Sequence, residues 1–143
     1  MNPTIQSTQA SIKTSQGMIE RYEADIEKFT GFLSVHALCS KNHVIRCGGI
    51  YIVPTVENNR VEAHSKCTWE YDPLKAPQFT KQDAQAVARG VMNGNGDKGE
   101  AVGINQAVRD ALEQAEAGLQ FSREILMAQQ AKLVELDSAA REV

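Results

Sequence analysis

The stretch from Ile5 to Leu33, IQSTQASIKTSQGMIERYEADIEKFTGFL, places an isoleucine or a leucine at every seventh residue. A seven-residue apolar repeat keeps one stripe of a helix facing a partner helix and favours left-handed coiled-coil packing. Tyr22 and Phe29 add apolar positions between the members of the repeat. The sequence therefore predicts one long helix over residues 5–36, with a single apolar face.

A matching stripe lies near the C-terminus, where leucine recurs at seven-residue intervals from Leu112 to Leu133. Ser122 and Gln129 interrupt this stripe, so a uniformly apolar seam is not expected. We predict a second long helix over 104–138 that packs with the first, either within one chain or between chains. The alternative is that each helix packs on the core of its own domain.

Between the two stripes, segment 43–71 is rich in β-branched and aromatic residues, and it predicts a small antiparallel β-sheet. The predicted strands are 44–47, 50–56 and 61–71. Asn58 and Asn59 suit a hairpin turn, and Gly48 with Gly49 indicates a bulge or a tight bend. Pro54 indicates an edge strand, because proline has no backbone N–H to donate.

A short helix is predicted over 80–92, with Thr80 and Asp83 in a capping arrangement at its start. A glycine-rich loop, 93–99, follows it. Residues Glu100 to Ile104 are compatible with a brief strand or with the first turn of the long helix. The 143 residues are expected to form a single domain of the α+β class.

The charge balance excludes some classes of function. Fifteen Lys and Arg against eighteen Asp and Glu give a formal charge of −3, which argues against sequence-independent binding of DNA or RNA. A small anionic ligand stays possible, because one or two arginines suffice to bind a phosphate. No apolar run is long enough to cross a membrane, no signal-peptide pattern is visible, and three cysteines suggest no disulfide framework. We expect a cytoplasmic protein, in the host cytoplasm if a phage encodes it.

The loop residues Asn93, Gly94, Asn95, Gly96 and Asp97 form the first candidate site. Glycine adopts conformations closed to other residues and leaves its N–H accessible, so such a loop before a helix can hold a phosphate. The Asp97 carboxylate could accept hydrogen bonds from a ribose or a base. The pattern is neither a Walker loop nor a dinucleotide-binding fingerprint. The alternative is a loop that only turns the chain.

A metal site and an enzyme are the other two candidates. The potential zinc ligands are Cys39, His43, Cys47, His64 and Cys67, with His36 nearby. Their spacings do not match the common zinc motifs, which need two close ligand pairs, so neither a metal nor a cofactor is expected. Nothing in the sequence orders a cysteine and a histidine into a nucleophile–base pair, so we expect no enzyme.

A long helix, a β-rich middle, the stretch PQFTKQDAQAVARGVMNGNGDKGEAV (Pro77–Val102) and a final long helix together resemble a phage family. It is the first-described group of Thoeris anti-defence proteins, the sponges that sequester a bacterial immune signal. The resemblance covers the architecture of nearly the whole chain, and its most specific part runs from Phe79 to Arg109. It implies a non-catalytic homo-oligomer that binds cyclic ADP-ribose isomers and, in some members, cyclic oligonucleotides at a separate site.

The resemblance also implies site residues. The family's pocket stacks an aromatic side chain on adenine and surrounds the ribose phosphates with arginine and asparagine, parts that Phe79, Asn93, Asn95 and Arg109 could take. A second stacking surface would have to come from Trp69 or Tyr71. The rival hypothesis is a structural or protein-interaction protein of a phage or bacterium, assembled through its coiled-coil ends.

Overall fold

A computed structural model describes residues 3–33, 42–57, 60–62, 68–92 and 95–141. Within these residues the helices are α1 (Pro3–Leu33), α2 (Lys81–Ala88) and α3 (Ile104–Arg141). The strands are β1 (His43–Cys47), β2 (Ile50–Val53), β3 (Thr55–Glu57), β4 (Arg60–Glu62), β5 (Thr68–Glu70) and β6 (Glu100–Gly103). The chain forms two compact units, Met1–Gly31 with Leu112–Val143, and Phe32–Ala111. The predicted α+β class is confirmed.

In the first unit, α1 and α3 pack against each other within one chain. The Ser15 hydroxyl donates to Gln129 Oε1 at 2.7 Å. Further along α1, the Tyr22 ring lies so close to Gly118 that an added Cβ would be 2.5 Å from Tyr22 Cζ. These contacts advance along α1 while they retreat along α3, so the two helices are antiparallel. Of the two pairings that the sequence left open, the structure has the one within a chain.

The seam between α1 and α3 follows the seven-residue pattern but is partly polar. Its most buried positions are Thr8, Ser15, Phe29, Ala115, Leu119 and Ser122. The Thr8 hydroxyl donates to the Thr4 carbonyl at 2.8 Å, which satisfies it within its own helix. The predicted interruption of the apolar stripe is therefore present, and its polar groups are hydrogen-bonded. The predicted end of the first helix, 34–36, lies outside the described residues.

In the second unit, four strands form an antiparallel sheet in the order β5-β2-β1-β6. Strands β1 and β2 form a hairpin in which Cys47 pairs with Ile50 across Gly48 and Gly49. Both glycines have positive φ, 60° and 87°. A two-residue turn with positive φ at both positions matches the right-handed twist of the strands. Of the two readings of this glycine pair, the tight turn is the one found.

The long strands predicted over 50–56 and 61–71 are wrong in their extent. The first divides at Pro54 into β2 and β3, which belong to different sheets. Proline cannot donate to a ladder, so it ends the pairing of β2. Strand β3 pairs only with β4, Glu57 opposite Arg60, and the intervening predicted turn, 58–59, lies outside the described residues. The second predicted strand corresponds to β4 and β5, and 63–67 is likewise not described.

Helix α2 packs on the sheet. The Thr80 hydroxyl accepts a hydrogen bond from the Asp83 N–H at 3.2 Å, which confirms the predicted cap. The core cluster comprises Ile45, Cys47, Ile52, Ala84, Val87, Ala88 and Val91. The helix ends at Ala88 rather than at 92, because two turns, Gly90 N–H to Val87 O and Val91 N–H to Ala88 O, close off its last carbonyls. Residues Glu100–Gly103 form β6, which settles the choice left open by the sequence.

Candidate functional site

The glycine-rich loop after α2 has a closed base. Met92 bridges Lys98, and the Gly99 N–H donates to the Val91 carbonyl at 2.9 Å. The two arms of the loop are therefore held side by side, and the chain between them must project as a tip. Gly96 in that tip has φ +84°, a conformation that L side chains rarely adopt. A glycine requirement predicted for this loop is thus found at Gly96.

The loop is also tied to the sheet. The thiol of Cys47, at the end of β1, donates to the Asp97 carbonyl at 3.2 Å. Cys47 is buried in the core cluster that α2 covers. Asn95 and Asp97 both make polar contacts. Asn93 and Gly94, the other predicted loop residues, lie outside the described part of the chain. The described arm of the loop is consequently anchored to the core.

A cavity of about 400 Å³ lies at the base of this loop. Its lining residues are Ala88, Arg89, Gly90, Val91, Met92, Lys98 and Gly99. The wall depends on Gly99, where an added Cβ would be 2.7 Å from the Ala88 carbonyl oxygen and 2.9 Å from Val91 Cβ. Only glycine lets this segment approach the end of α2 so closely. The volume is within the range typical of small-molecule sites.

The charged residues of the cavity are both cations. Arg89 and Lys98 are exposed, and neither has an ion-pair partner among the residues that the structure describes. Glu100, the nearby acidic residue, is paired with Arg46 at 2.9 Å. No carboxylate, imidazole, thiol or hydroxyl side chain belongs to the described lining. An unpaired arginine and lysine at one cavity favour an anionic ligand, with a phosphate as the best geometric match to a guanidinium.

Two features near the cavity bear on the phosphate hypothesis. The C-terminal end of α2 carries partial negative charge, which disfavours an anion there. That end is short and its carbonyls are hydrogen-bonded by Arg89, Gly90 and Val91, so the two full cations outweigh it. The loop does not lead directly into a helix, because β6 separates it from α3. The first amide of α3, Ile104, donates to the Asn42 carbonyl at 2.8 Å and is not part of the loop.

Phe79 and Arg109, the predicted stacking and phosphate-binding residues, do not line this cavity. Phe79 is half-buried and packs against the core cluster. Its backbone exchanges hydrogen bonds with His43, at 3.0 and 2.7 Å. Arg109 is exposed on α3, directly after the buried Ala107 and Val108. Both assignments stay predictions.

Trp69 and Tyr71, named as possible second stacking surfaces, are 43% and 78% exposed. Trp69 lies on β5, which is an edge strand of the sheet, and β6 is the opposite edge. Three strand spacings separate these edges, roughly 14 Å. Because the loop leads into β6, one chain does not bring Trp69 to the loop's edge of the sheet.

An ionic network that the sequence did not reveal joins β1, β6 and the start of α3. Arg46 donates through Nε to Glu100 Oε1 at 2.9 Å and through Nη1 to Asp110 Oδ2 at 2.7 Å. Gln106 donates to the other Asp110 oxygen at 2.8 Å. In β1 the alternation of side chains places Arg46 on the face opposite Ile45 and Cys47, but nothing local identifies its partners. With both carboxylates engaged, Arg46 stabilises the unit rather than offering a free cation.

The network shifts the pKa values of its members. The hydrogen bond from Arg46 lowers the pKa of Asp110, more than partial burial raises it. Burial acts to lower the pKa of Arg46, but its hydrogen bonds to Asp110 and Glu100 raise that pKa above the ordinary value. Burial raises the pKa of Tyr51, and Arg46 opposes this only in part. Arg46 and Asp110 are therefore both held in their charged forms.

Of the potential zinc ligands, His43 and Cys47 belong to the described residues. His43 lies close to Asn42, with Nδ1 2.6 Å from the amide oxygen, and Cys47 contacts Asp97. Within the described chain there is no group of three or more His, Cys, Asp or Glu side chains that could hold a metal ion. The remaining four residues of the sequence-level cluster, 36, 39, 64 and 67, are not described.

Comparisons of the chain with protein-family models, curated proteins and solved structures give no match. The resemblance to the Thoeris anti-defence sponges therefore stays a hypothesis. Among the described helices, none has the length and apolar content needed to span a membrane. The loop cavity, with its two unpaired cations, is the feature from which a function can be argued.

Proposed function

We propose that the protein binds a phosphate-bearing cyclic nucleotide in the loop cavity and does not turn it over. In the biological role that the family resemblance implies, it sequesters a cyclic ADP-ribose isomer, or a cyclic oligonucleotide, and so blocks bacterial anti-phage defence. The observation that carries the proposal is the 400 Å³ cavity lined by Arg89 and Lys98, both without an ion-pair partner among the described residues.

The chemistry of the cavity suits binding better than catalysis. Arg89 offers a planar fork of donors to phosphate oxygens, and Lys98 adds a second charge. The side chain of Met92, 62% exposed, provides an apolar and polarisable surface for a base or sugar. A sponge needs these contacts and no activated nucleophile, which agrees with the absence of hydroxyl, thiol, imidazole and carboxylate side chains from the described lining.

Magnitudes indicate what else a tight sponge requires. Two charge-assisted hydrogen bonds contribute about 3–6 kcal/mol together. Nanomolar affinity corresponds to about 12 kcal/mol. Stacking on an aromatic ring would add about 1–3 kcal/mol. The two cations alone therefore predict weak binding, and tight binding requires base or sugar contacts in addition. Phe79 and Arg109 are the sequence-predicted residues for those contacts.

Calorimetric titration with a panel of ligands tests the proposal. The panel contains cyclic ADP-ribose isomers, cyclic di- and trinucleotides, linear ADP-ribose and inorganic phosphate. We expect saturable binding of at least one cyclic nucleotide, which chromatography recovers unchanged after the protein is denatured. A conversion of the ligand would contradict the non-catalytic part of the proposal. No heat and no thermal shift with any member of the panel would contradict the binding itself.

The roles of Phe79 and Arg109 need separate variants. Phe79→Leu keeps most of the packing against the core cluster and removes the aromatic face, whereas Phe79→Ala would also destabilise the unit. Arg109→Gln removes one exposed charge. If either residue contacts the ligand, its variant weakens binding more than tenfold, which is ~1.4 kcal/mol, with an unchanged melting temperature. Unaltered affinity in both variants would assign binding to the loop cavity alone.

One observation favours the second candidate, a structural or protein-interaction protein. Three large apolar side chains of α3 are exposed: Phe121 by 63%, Met127 by 70% and Val134 by 65%. Exposed apolar patches of this kind often mark association surfaces. A protein that self-associates through α3 but ignores the entire ligand panel would fit this candidate. The two functions are therefore separated by the same titration.

A further inference from the structure

The original reason to expect a homo-oligomer was the pair of apolar stripes on α1 and α3. Those stripes cover each other within one chain, so they no longer require a second copy. The opposite side of α3 does leave apolar surface exposed. We call it the outer face, and it consists of Ala117, Phe121, Met127, Ala128, Ala131 and Val134, all exposed.

The outer face lies about half a turn from the seam. At about 100° per residue, Ala131 and Glu124 are directed away from Leu119, Leu126 and Leu133. The three alanines lie between Phe121 on one side and Met127 with Val134 on the other. Small side chains flanked by large apolar ones allow the close approach of a second helix. The seam is not needed for this contact, so the hairpin of α1 and α3 stays intact.

Charges mark the centre of this face. Glu124, Ala128 and Lys132 are spaced by four residues and so form one row along the helix. Glu124 and Lys132 are both exposed, and neither has an ion-pair partner within the described ranges. They cannot pair with each other, because eight residues of helix separate them by about 12 Å. Two opposite charges placed symmetrically about an alanine complement an inverted copy of themselves.

We propose that the chain forms a dimer through the outer face of α3, with two copies antiparallel about Ala128. This arrangement places each Glu124 beside the partner's Lys132, and the same residue pair forms twice because the interface is two-fold symmetric. Phe121 precedes Ala128 by seven residues and Val134 follows it by six, so the symmetry brings Phe121 level with the partner's Val134. Rows spaced by four residues from two helices pack at about −50°, the commonest crossing in globular proteins.

Charge reversal tests the pairing. In Glu124→Lys, every pair becomes Lys opposite Lys, and in Lys132→Glu it becomes Glu opposite Glu. Light scattering at micromolar concentration is expected to give the mass of two chains for the wild type and of one chain for each variant. The double variant Glu124→Lys/Lys132→Glu restores two chains. An equimolar mixture of the two single variants also restores two chains, because opposite charges then meet across the interface.

Control variants separate this surface from general charge effects. Glu27→Lys changes an exposed charge on α1 and is expected to leave the dimer intact. Phe121→Glu is expected to give single chains with an unchanged helical circular dichroism signal. A wild type with the mass of one chain would overturn the proposal. So would Glu124→Lys that stays dimeric, or folded single variants that do not associate when mixed. None of these masses depends on a ligand, so failure here leaves the proposed function standing.

Discussion

At the scale of single residues, Gly99 holds the loop cavity closed at its base. Its N–H bonds to Val91, and its missing side chain leaves room for the Ala88 carbonyl. In Gly99→Ala the added methyl group would overlap backbone, which cannot move without displacing the end of α2. Overpacking of this kind costs about 1–3 kcal/mol. We expect a lower free energy of unfolding by urea and weaker ligand binding.

Gly103 provides the matched control for this change, because it lies in the same strand segment and an added Cβ would meet nothing within 4 Å. Gly103→Ala is expected to be neutral, or more stable by about 0.4–1 kcal/mol, because alanine restricts the unfolded chain. Equal stability losses for the two alanine variants would show that close packing at Gly99 is not what the loop requires.

Arg46 and Asp110 predict an acid-dependent contribution to stability. The folded pKa of Asp110 is lowered by Arg46, so the contribution is fully present above the unfolded pKa of about 4. It is lost as the pH falls through the lower, folded value. Asp110→Asn should therefore reduce the free energy of unfolding at pH 7, by an amount on the order of 1 kcal/mol for this partly exposed pair.

Below about pH 4 the difference between wild type and Asp110→Asn should shrink, because protonation removes the charge of the wild-type carboxylate. Urea unfolding curves of both proteins across this range measure the effect. A difference that is constant with pH would show that Asp110 stabilises the fold through its shape and not through its charge.

At the scale of elements, the hydrogen bond between Ser15 and Gln129 fixes the register of α1 on α3. Ser15 is 8% exposed, so its hydroxyl needs a partner. Gln129→Ala removes that partner and should lower stability by about 1–3 kcal/mol. The double variant Ser15→Ala/Gln129→Leu replaces both polar groups with apolar ones and should recover most of the loss.

Thermal unfolding of the two single variants and the double variant forms a cycle that isolates the interaction. Additive losses in the double variant would contradict a direct contact. A polar pair in an apolar seam is the device that specifies register in coiled coils, so Gln129 is better understood as a specifying residue than as an interruption.

The elements differ in how far the sequence determines them. The seven-residue repeats predict α1 and α3 closely, because the period of the pattern survives interruption by Ser122 and Gln129. The Gly48–Gly49 turn and the Thr80 cap were also predictable, since each depends on local chemistry. The extent of the strands was not. Pro54 was noted as an edge signal, but whether it ends a strand depends on which sheet the following residues join.

The cavity shows a different limit. The glycine-rich loop was predicted as a site from its composition, yet its cations, Arg89 and Lys98, lie just outside the segment chosen. Composition does not reveal that Gly99 bonds to Val91 and so brings the two arms together. Arg46 is a related case, because its partners Glu100 and Asp110 are more than fifty residues away. Long-range pairing of this kind leaves no local signal.

At the scale of the whole molecule, the two units carry separate features. The cavity is lined by residues of the second unit only, and the outer face belongs to the first. Ligand binding is therefore expected to survive the loss of self-association. Titration of Phe121→Glu should give the wild-type dissociation constant within a factor of about 2, which is ~0.4 kcal/mol. A larger loss of affinity would show that the complete site needs two chains.

The central claim is that Arg89 and Lys98 bind a phosphate-bearing nucleotide at the glycine-rich loop. The most direct measurement is calorimetric titration of that nucleotide into wild type, Arg89→Gln and Lys98→Gln, with the exposed Lys81→Gln on α2 as the matched control. The account predicts at least tenfold weaker binding, ~1.4 kcal/mol, for each cavity variant, and unchanged binding for the control. Wild-type affinity in both folded cavity variants would contradict it.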